Sequence, residues 1–201
     1  LEKGLPNLLK HIENITVKFG LPAVVAINRF PADTEAELAL VRRKCEEMGA
    51  NVALSEVWAK GGEGGLELAE EVLRLEKPNH FRMMYADEQP LREKIEAVVR
   101  EIYGGDGVDY LPAAARELDK LENLGYGCLP VCMAKTQYSL SDNPALAGWP
   151  KGFRVTVKNV RLSAGAGFVV VLTGDIMTMP GLPKVPAANQ IDVDEDGQIL
   201  G

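Results

Sequence analysis

Two predicted loops carry the aromatic side chains best placed for chemistry. Phe30 follows a short apolar run at 23–27, and Trp58 follows a second predicted strand at 51–54. In open parallel sheets, ligands bind beyond the carboxyl ends of the strands, where both loops lie. Because neighbouring strands are about 4.8 Å apart, rings at adjacent strand ends can flank a flat heterocycle. At this point the alternative, that both rings pack on the following helices as core, stays open.

Two polar side chains accompany the first of these loops. Asn28 directly follows the first strand, and Asp33 lies five residues further along the chain. An amide offers both a hydrogen-bond donor and an acceptor, so this pair can recognise the edge of a purine. A turn asparagine and a helix-start aspartate would have the same sequence pattern. Nucleotide binding is therefore one of two interpretations.

A glycine-rich segment, 60–65, precedes the third predicted helix. Its backbone N–H groups can hold an anion, or the segment can be a simple flexible link. It is not a Walker A loop, since no Gly-Lys-Ser/Thr sequence follows it. Surface packing is the simpler interpretation for four further polar residues near predicted loops, Lys135, Tyr138, Arg154 and Lys158.

Composition disfavours several kinds of site. With two histidines, and with Cys128 and Cys132 off metal-ligand spacing, we expect no zinc site and no Ser-His-Asp or Cys-His centre. The three cysteines fit a reducing compartment, which predicts a cytoplasmic protein. The net charge of −7 argues against nucleic acid or an anionic membrane as a partner. No apolar run approaches the roughly 20 residues of a membrane span.

The order of predicted elements indicates an α/β fold. Helices at 5–19, 34–48 and 66–75 alternate with the strands at 23–27 and 51–54. This order is that of a βαβ unit, whose two strands pair in parallel and are covered by helices. The segment 55–65 is predicted as a loop.

The second helix has a recognisable start. Thr34 and Glu37 have the spacing of a capping box, in which each side chain bonds to the other residue's backbone N–H. The predicted buried face of this helix consists of Leu38, Val41, Cys45 and Met48.

The sequence changes character in its second half. After an irregular segment at 78–90, helices are predicted at 91–103 and 112–124, with a GGDG break between them. Three strands follow, in LPVCMA, FRVTVKNVRL and FVVVLTG, and the tail from Met179 is predicted to extend over the surface. We therefore expect two domains: an α/β part at 1–78 and a smaller, β-rich α+β domain at 79–201.

Five stretches closely resemble the C-terminal part of formate–tetrahydrofolate ligases. In chain order they are AVVAINRFPADT, LSEVWAKGGEGG, PVCMAKTQYSLSDNP, SAGAGFVVVLTGDIMTMPGLPKVPAA and DVDEDGQILG. The resemblance implies a part of a longer polypeptide with a P-loop-NTPase-like fold, whose N-terminal region carries the phosphate-binding loop. It implies an enzyme that activates formate with ATP to formyl phosphate, which tetrahydrofolate attacks to give 10-formyltetrahydrofolate. Both ends of the chain fit this expectation, because each lies beside an apolar segment.

The resemblance also implies roles for individual residues. Phe30, Leu54 and Trp58 match the family's folate pocket, while Asn28 and Asp33 match its loop beside the nucleotide. No residue here is expected to be catalytic or to bind metal.

The remaining implications concern ligands and assembly. ATP with Mg²⁺ is expected to be held mainly by the N-terminal region, with a monovalent cation such as K⁺ or NH₄⁺. The full-length protein is expected to be a homotetramer. Two alternatives stay open: a stand-alone pterin- or nucleotide-binding module, and an oligomer-assembly domain without ligase activity.

Overall fold

The computed structural model of the chain describes residues 1–75, 79–174, 176 and 184–200. Within these residues the strands form three sheets: a parallel pair, a mixed four-stranded sheet and a short antiparallel pair. The first and second of these sheets lie on either side of residues 76–78, which fall outside the described residues. The division into domains at 78/79 therefore stays a prediction.

The first half begins with the predicted helix and βαβ unit. Helix α1 (Leu5–Glu13) continues as a π-helical turn to Lys18, and is followed by strand β1 (Val24–Asn28), helix α2 (Glu35–Glu47) and strand β2 (Asn51–Ser55). Strands β1 and β2 pair in parallel. The predicted parallel pairing is thus confirmed.

The start of α2 follows the sequence pattern closely. The Thr34 hydroxyl accepts the Glu37 N–H at 3.3 Å, and the Glu37 carboxylate accepts the Thr34 N–H at 3.0 Å. The side-chain and backbone hydrogen bonds from Thr34 lower the pKa of Glu37. Leu38 and Cys45 are buried, but Met48 is 43% exposed, so its assignment to the buried face is wrong. Met48 is the C-cap residue, just beyond the last helical residue, so it does not continue the buried face of the helix.

The segment after β2 is helical rather than a loop. It forms a short helix α3 (Val57–Lys60), a 3-10 turn (Gly61–Gly65) and helix α4 (Leu66–Leu73). The N–H groups of Ala59 and Lys60 both donate to the Glu56 carbonyl. These local hydrogen bonds satisfy the main chain in a stretch whose glycine content predicts a loop, and that prediction is wrong.

The second half is built around the four-stranded sheet. Its elements are helix α5 (Leu91–Ala97), a π-helical turn (Val98–Tyr103), strand β3 (Gly107–Tyr110), helix α6 (Pro112–Asn123) and strands β4 (Val131–Ala134), β5 (Arg154–Ser163) and β6 (Phe168–Thr173). The strand order is β3-β5-β6-β4, with β5 and β6 antiparallel and the two outer pairs parallel. A β-rich sheet distinct from the first is confirmed, although the sequence did not predict β3.

Buried side chains join the two halves. The Lys10 ammonium donates to the Glu101 carbonyl at 3.1 Å, and the Asn14 amide donates to the Ile102 carbonyl at 2.9 Å. Both donors lie on the first helical segment and both acceptors on the π-helical turn after α5. The first helix thus packs on the second half as well as on its own sheet.

The tail forms local structure. Residues 179–183 lie outside the described residues, but from 184 onward the chain makes a 3-10 turn (Ala187–Gln190) and pairs β7 (Asp192–Val193) with β8 (Ile199–Leu200). The predicted surface position is confirmed for these residues, since 184–199 are exposed apart from Asp194, but the prediction that they are simply extended is wrong. Among the described helices, none has the length and apolar character needed to cross a membrane.

Candidate functional site

The carboxyl ends of β1 and β2 lie side by side. Asn28 is opposite Ser55, and the Arg29 N–H donates to the Ser55 carbonyl at 3.0 Å. The loops that carry Phe30 and Trp58 therefore leave the sheet from the same end. Sequence reasoning predicted this placement, because it follows from parallel pairing alone.

Both aromatic rings are solvent-exposed. Phe30 is 59% exposed and Trp58 is 77% exposed. A ring that packed on the following helix as core would be largely buried, so the core alternative is excluded. Each ring instead offers an apolar face on which a flat ligand can stack.

The Phe30 loop is held by Asp33. One carboxylate oxygen of Asp33 accepts the Phe30 N–H at 2.8 Å, and the Asp33 N–H donates to the Phe30 carbonyl at 3.0 Å. Asp33 therefore shapes the turn that presents Phe30, immediately before α2 begins. Asp33 thus has the structural role of an aspartate at the start of a helix, which was one of its two interpretations from sequence. Contact between Asp33 and a nucleotide stays a prediction.

Asn28 and Leu54 complete the set of predicted binding residues. Asn28 is exposed, and its side-chain amide makes no hydrogen bond to any residue that the structure describes. Leu54 is half-buried and lies opposite Ile27 in the sheet. A free amide and a half-buried apolar side chain thus lie at the strand ends from which the two aromatic loops leave.

Arg29 links the two loops and was not predicted. Its guanidinium is 2.5 Å from the Glu35 carboxylate and 4.0 Å from that of Glu56. Glu56 also bonds Lys60 at 2.5 Å, and this hydrogen bond is the main cause of a lowered Glu56 pKa. In the sequence, the only indication of this linking role is that a positively charged residue lies between Asn28 and Phe30.

A backbone hydrogen bond closes the Trp58 segment. The Glu56 N–H donates to the Gly64 carbonyl at 2.9 Å, which folds the 3-10 turn back on the start of α3. A Cβ atom at Gly64 would lie 2.4 Å from the backbone carbon and oxygen of Glu56. The close approach therefore requires glycine at this position.

Replacing Gly64 by alanine is expected to destabilise this closure. Gly64→Ala should lower the free energy of unfolding by about 1–3 kcal/mol, the usual cost of forcing extra atoms into a packed position. Gly62→Ala is the matched control, because a Cβ there has nothing within 4 Å. Urea unfolding of the two variants measures the difference, and equal stabilities would contradict the assigned role of Gly64.

The glycine-rich segment 60–65 and the other polar candidates lie in different surroundings. The segment forms a turn before α4, and anion binding there stays a prediction.

The Lys135 ammonium donates to the carbonyls of Thr136 at 2.8 Å, Ser141 at 3.1 Å and Ser139, and burial lowers its pKa. With three acceptors for three donors, Lys135 organises its own loop.

Three more of these candidates are surface groups or line a cavity. Arg154 pairs with Asp109 through two guanidinium nitrogens at 3.0 and 2.8 Å, which lowers the pKa of Asp109. Tyr138 is exposed and, with Lys158 and Lys135, lines a cavity of about 770 Å³ beyond the ends of β4 and β6. In the described residues no three acidic, histidine or cysteine side chains are grouped so that they could hold a metal ion.

Comparison with known proteins gives one consistent result. The profile of the family described as formate–tetrahydrofolate ligase matches residues 1–201. A curated protein of that name from Symbiobacterium thermophilum is 60% identical over 202 residues. The alignment covers 100% of this chain and 36% of the relative, so the chain spans little more than a third of that protein's length.

Proposed function

Because the chain belongs to the formate–tetrahydrofolate ligase family, we propose that it supplies the tetrahydrofolate-binding loops of an ATP-dependent ligase. The complete enzyme joins formate to tetrahydrofolate through formyl phosphate and releases 10-formyltetrahydrofolate. The pterin ring stacks on Phe30 and Trp58, and Leu54 contributes apolar contact from the end of β2.

The observation that carries this proposal is the exposure of the two rings. Phe30 and Trp58 are 59% and 77% exposed, on loops that leave adjacent strand ends. Stacking contacts the faces of the pterin and leaves its edge free. The reacting amine is therefore able to reach formyl phosphate while the ring is held.

Asn28 and Asp33 act beside the nucleotide in this proposal. The Asn28 amide is available to a purine edge, since it makes no hydrogen bond within the described part of the chain. Asp33 acts indirectly, because one of its carboxylate oxygens already holds the Phe30 N–H.

The phosphate chemistry belongs to another part of the ligase polypeptide. The 201 residues contain no Walker A sequence, and the described residues offer no group of carboxylates for Mg²⁺. These residues therefore do not fit the triphosphate and its metal ion. We propose that the βαβ unit is part of a P-loop-NTPase-like fold, that 79–201 is a separate domain, and that the full-length protein is a cytoplasmic homo-oligomer.

A chimeric ligase tests the proposed function. In it, these 201 residues replace the corresponding 36% of the Symbiobacterium thermophilum relative. Formation of 10-formyltetrahydrofolate should require formate, ATP and tetrahydrofolate together. A folded chimeric ligase that binds tetrahydrofolate without turnover would favour the binding-module alternative instead.

A further inference from the structure

Glu56 lies between two of the residues proposed to contact the pterin. It directly follows β2, two residues after Leu54 and two residues before Trp58. Its backbone is fixed, because its N–H donates to the Gly64 carbonyl and its own carbonyl accepts two N–H groups of α3. The Glu56 side chain is 27% exposed. A half-buried carboxylate is thus attached to well-ordered backbone at the end of β2.

The Glu56 carboxylate also reaches toward the other aromatic loop. Its Oε1 atom is 4.0 Å from a guanidinium nitrogen of Arg29, the residue that precedes Phe30. Its Oε2 atom accepts a hydrogen bond from the Lys60 ammonium at 2.5 Å. The carboxylate therefore lies between a cation of the Phe30 loop and a cation of the Trp58 segment.

The two oxygens of this carboxylate differ in their hydrogen bonding. The contact of 4.0 Å between Oε1 and Arg29 is too long for a hydrogen bond, and no other residue that the structure describes donates to Oε1. The hydrogen bond from Lys60, and then the charges of Lys60 and Arg29, lower the pKa of Glu56. The side chain is therefore ionised at neutral pH, with an oxygen available to a hydrogen-bond donor.

The pterin ring of tetrahydrofolate has an edge that is complementary to a carboxylate. Its N3–H group and its 2-amino group are neighbouring donors in the plane of the ring. A carboxylate accepts such a pair through two parallel hydrogen bonds, as it does from a guanidinium. The carbon atom that carries the N10 arm is on the opposite side of the ring system. A protein group that binds the donor edge therefore leaves the N10 arm free.

We propose that the Glu56 carboxylate recognises this donor edge of a pterin stacked between Phe30 and Trp58. Arg29 and Lys60 act as positioning residues, because they hold the carboxylate between the two loops. Glu56 thus selects ligands with a 2-amino-4-oxopyrimidine ring and directs the N10 arm away from the sheet. This inference rests on the proposed function, since it requires the pterin to bind at these loops.

Glu47 provides a natural comparison for Glu56. Its carboxylate also accepts a lysine hydrogen bond, from Lys44 at 2.7 Å, and this bond likewise lowers its pKa. Glu47 is the last residue of α2, whereas the Phe30 loop joins the start of that helix. Its side chain is 52% exposed, and an exposed ion pair of this kind contributes little to stability. Glu47 is therefore the matched control.

Binding of tetrahydrofolate to variants of the chimeric ligase tests this proposal. The Kd is measured by calorimetry, so the test does not depend on turnover. Glu56→Ala should raise the Kd at least about 10-fold, because hydrogen bonds to a charged group are lost. Glu47→Ala should leave the Kd unchanged. Glu56→Gln keeps the shape of the side chain but removes its charge, so it should also raise the Kd, and it replaces the alanine variant if that variant does not fold.

A ligand that lacks one donor separates recognition from support of the fold. In the 2-desamino-2-methyl analogue of tetrahydrofolate, a methyl group replaces the 2-amino group. The unsubstituted chimeric ligase should bind this analogue at least about 10-fold more weakly than tetrahydrofolate. The Glu56→Ala variant should bind the two ligands with similar Kd values. A carboxylate that only held the two loops together would affect both ligands to the same extent.

Two results would overturn the proposal. One is an unchanged Kd for tetrahydrofolate in the folded Glu56→Ala variant. The other is a ratio of the two Kd values that is the same with and without Glu56. Neither result concerns the stacking of the pterin, so the proposed function fails separately, if Trp58→Ala leaves tetrahydrofolate binding unchanged.

Discussion

The 201-residue chain by itself is expected to form no 10-formyltetrahydrofolate from formate, ATP and tetrahydrofolate. Activation of formate requires groups that hold a triphosphate and neutralise the charge that develops on the transferred phosphoryl group. The chain contains no Walker A sequence, and in its described residues no three acidic, histidine or cysteine side chains are grouped so that they could hold a metal ion. Under conditions in which the chimeric ligase is active, product formation by the chain alone should not exceed the background without enzyme.

A lack of product formation is informative only if the purified chain is folded. Circular dichroism and a cooperative unfolding transition provide that control. ATP-dependent product formation by the purified chain would show instead that formate is activated among these residues.

The second large effect is expected at Trp58. In the chimeric ligase, Trp58→Ala should weaken tetrahydrofolate binding by about 1–3 kcal/mol, the range measured when an aromatic side chain that stacks on a base is removed. This corresponds to a KM for tetrahydrofolate raised roughly 5-fold to 150-fold. The KM for ATP should change little, because the indole is assigned to the folate ring alone.

Two variants make the Trp58 result specific. Trp58→Phe keeps an aromatic face and should recover part of the affinity. Leu124→Ala removes an exposed apolar side chain that follows α6, far along the chain from both loops, and should leave the KM unchanged. Because Trp58 is 77% exposed, its loss should not unfold the protein. An unfolded Trp58→Ala variant, or one with an unchanged folate KM, would show that the site assignment is wrong.

The parts of the fold that sequence predicted well depend on local chemistry. The Thr34–Glu37 capping box requires only two residues at a fixed spacing, and both of its hydrogen bonds form. The parallel pairing of β1 with β2 follows from a strand-helix-strand order that allows few other connections. The position of Phe30 and Trp58 beyond these strands was predictable for the same reason.

The parts that sequence could not predict depend on distant or compensating contacts. Strand β3 is four residues long and contains Gly107 and Asp109, which are poor strand formers. It is fixed by pairing with β5, which lies more than 40 residues later. The helical turns at 57–65 form because Gly64 permits a close approach to Glu56, a contact that glycine content alone cannot indicate.

The roles of two charged side chains, Arg29 and Lys135, were also beyond sequence prediction. Arg29 lies between Asn28 and Phe30, which were both predicted to bind ligands. Its own role as a link to Glu35 and Glu56 depends on how the two loops meet, which the sequence does not show. Lys135 was a candidate polar group by sequence, and only the structure shows that three carbonyl oxygens surround its ammonium.

A structure of the chimeric ligase with tetrahydrofolate bound would show directly whether these two loops hold the pterin. We expect the pterin ring between Phe30 and Trp58, with each aromatic ring about 3.5 Å from its plane, the contact distance of carbon atoms. Leu54 should touch the ligand, and Asn28 should lie toward the nucleotide. A pterin bound elsewhere, with Phe30 and Trp58 still exposed to solvent, would contradict it.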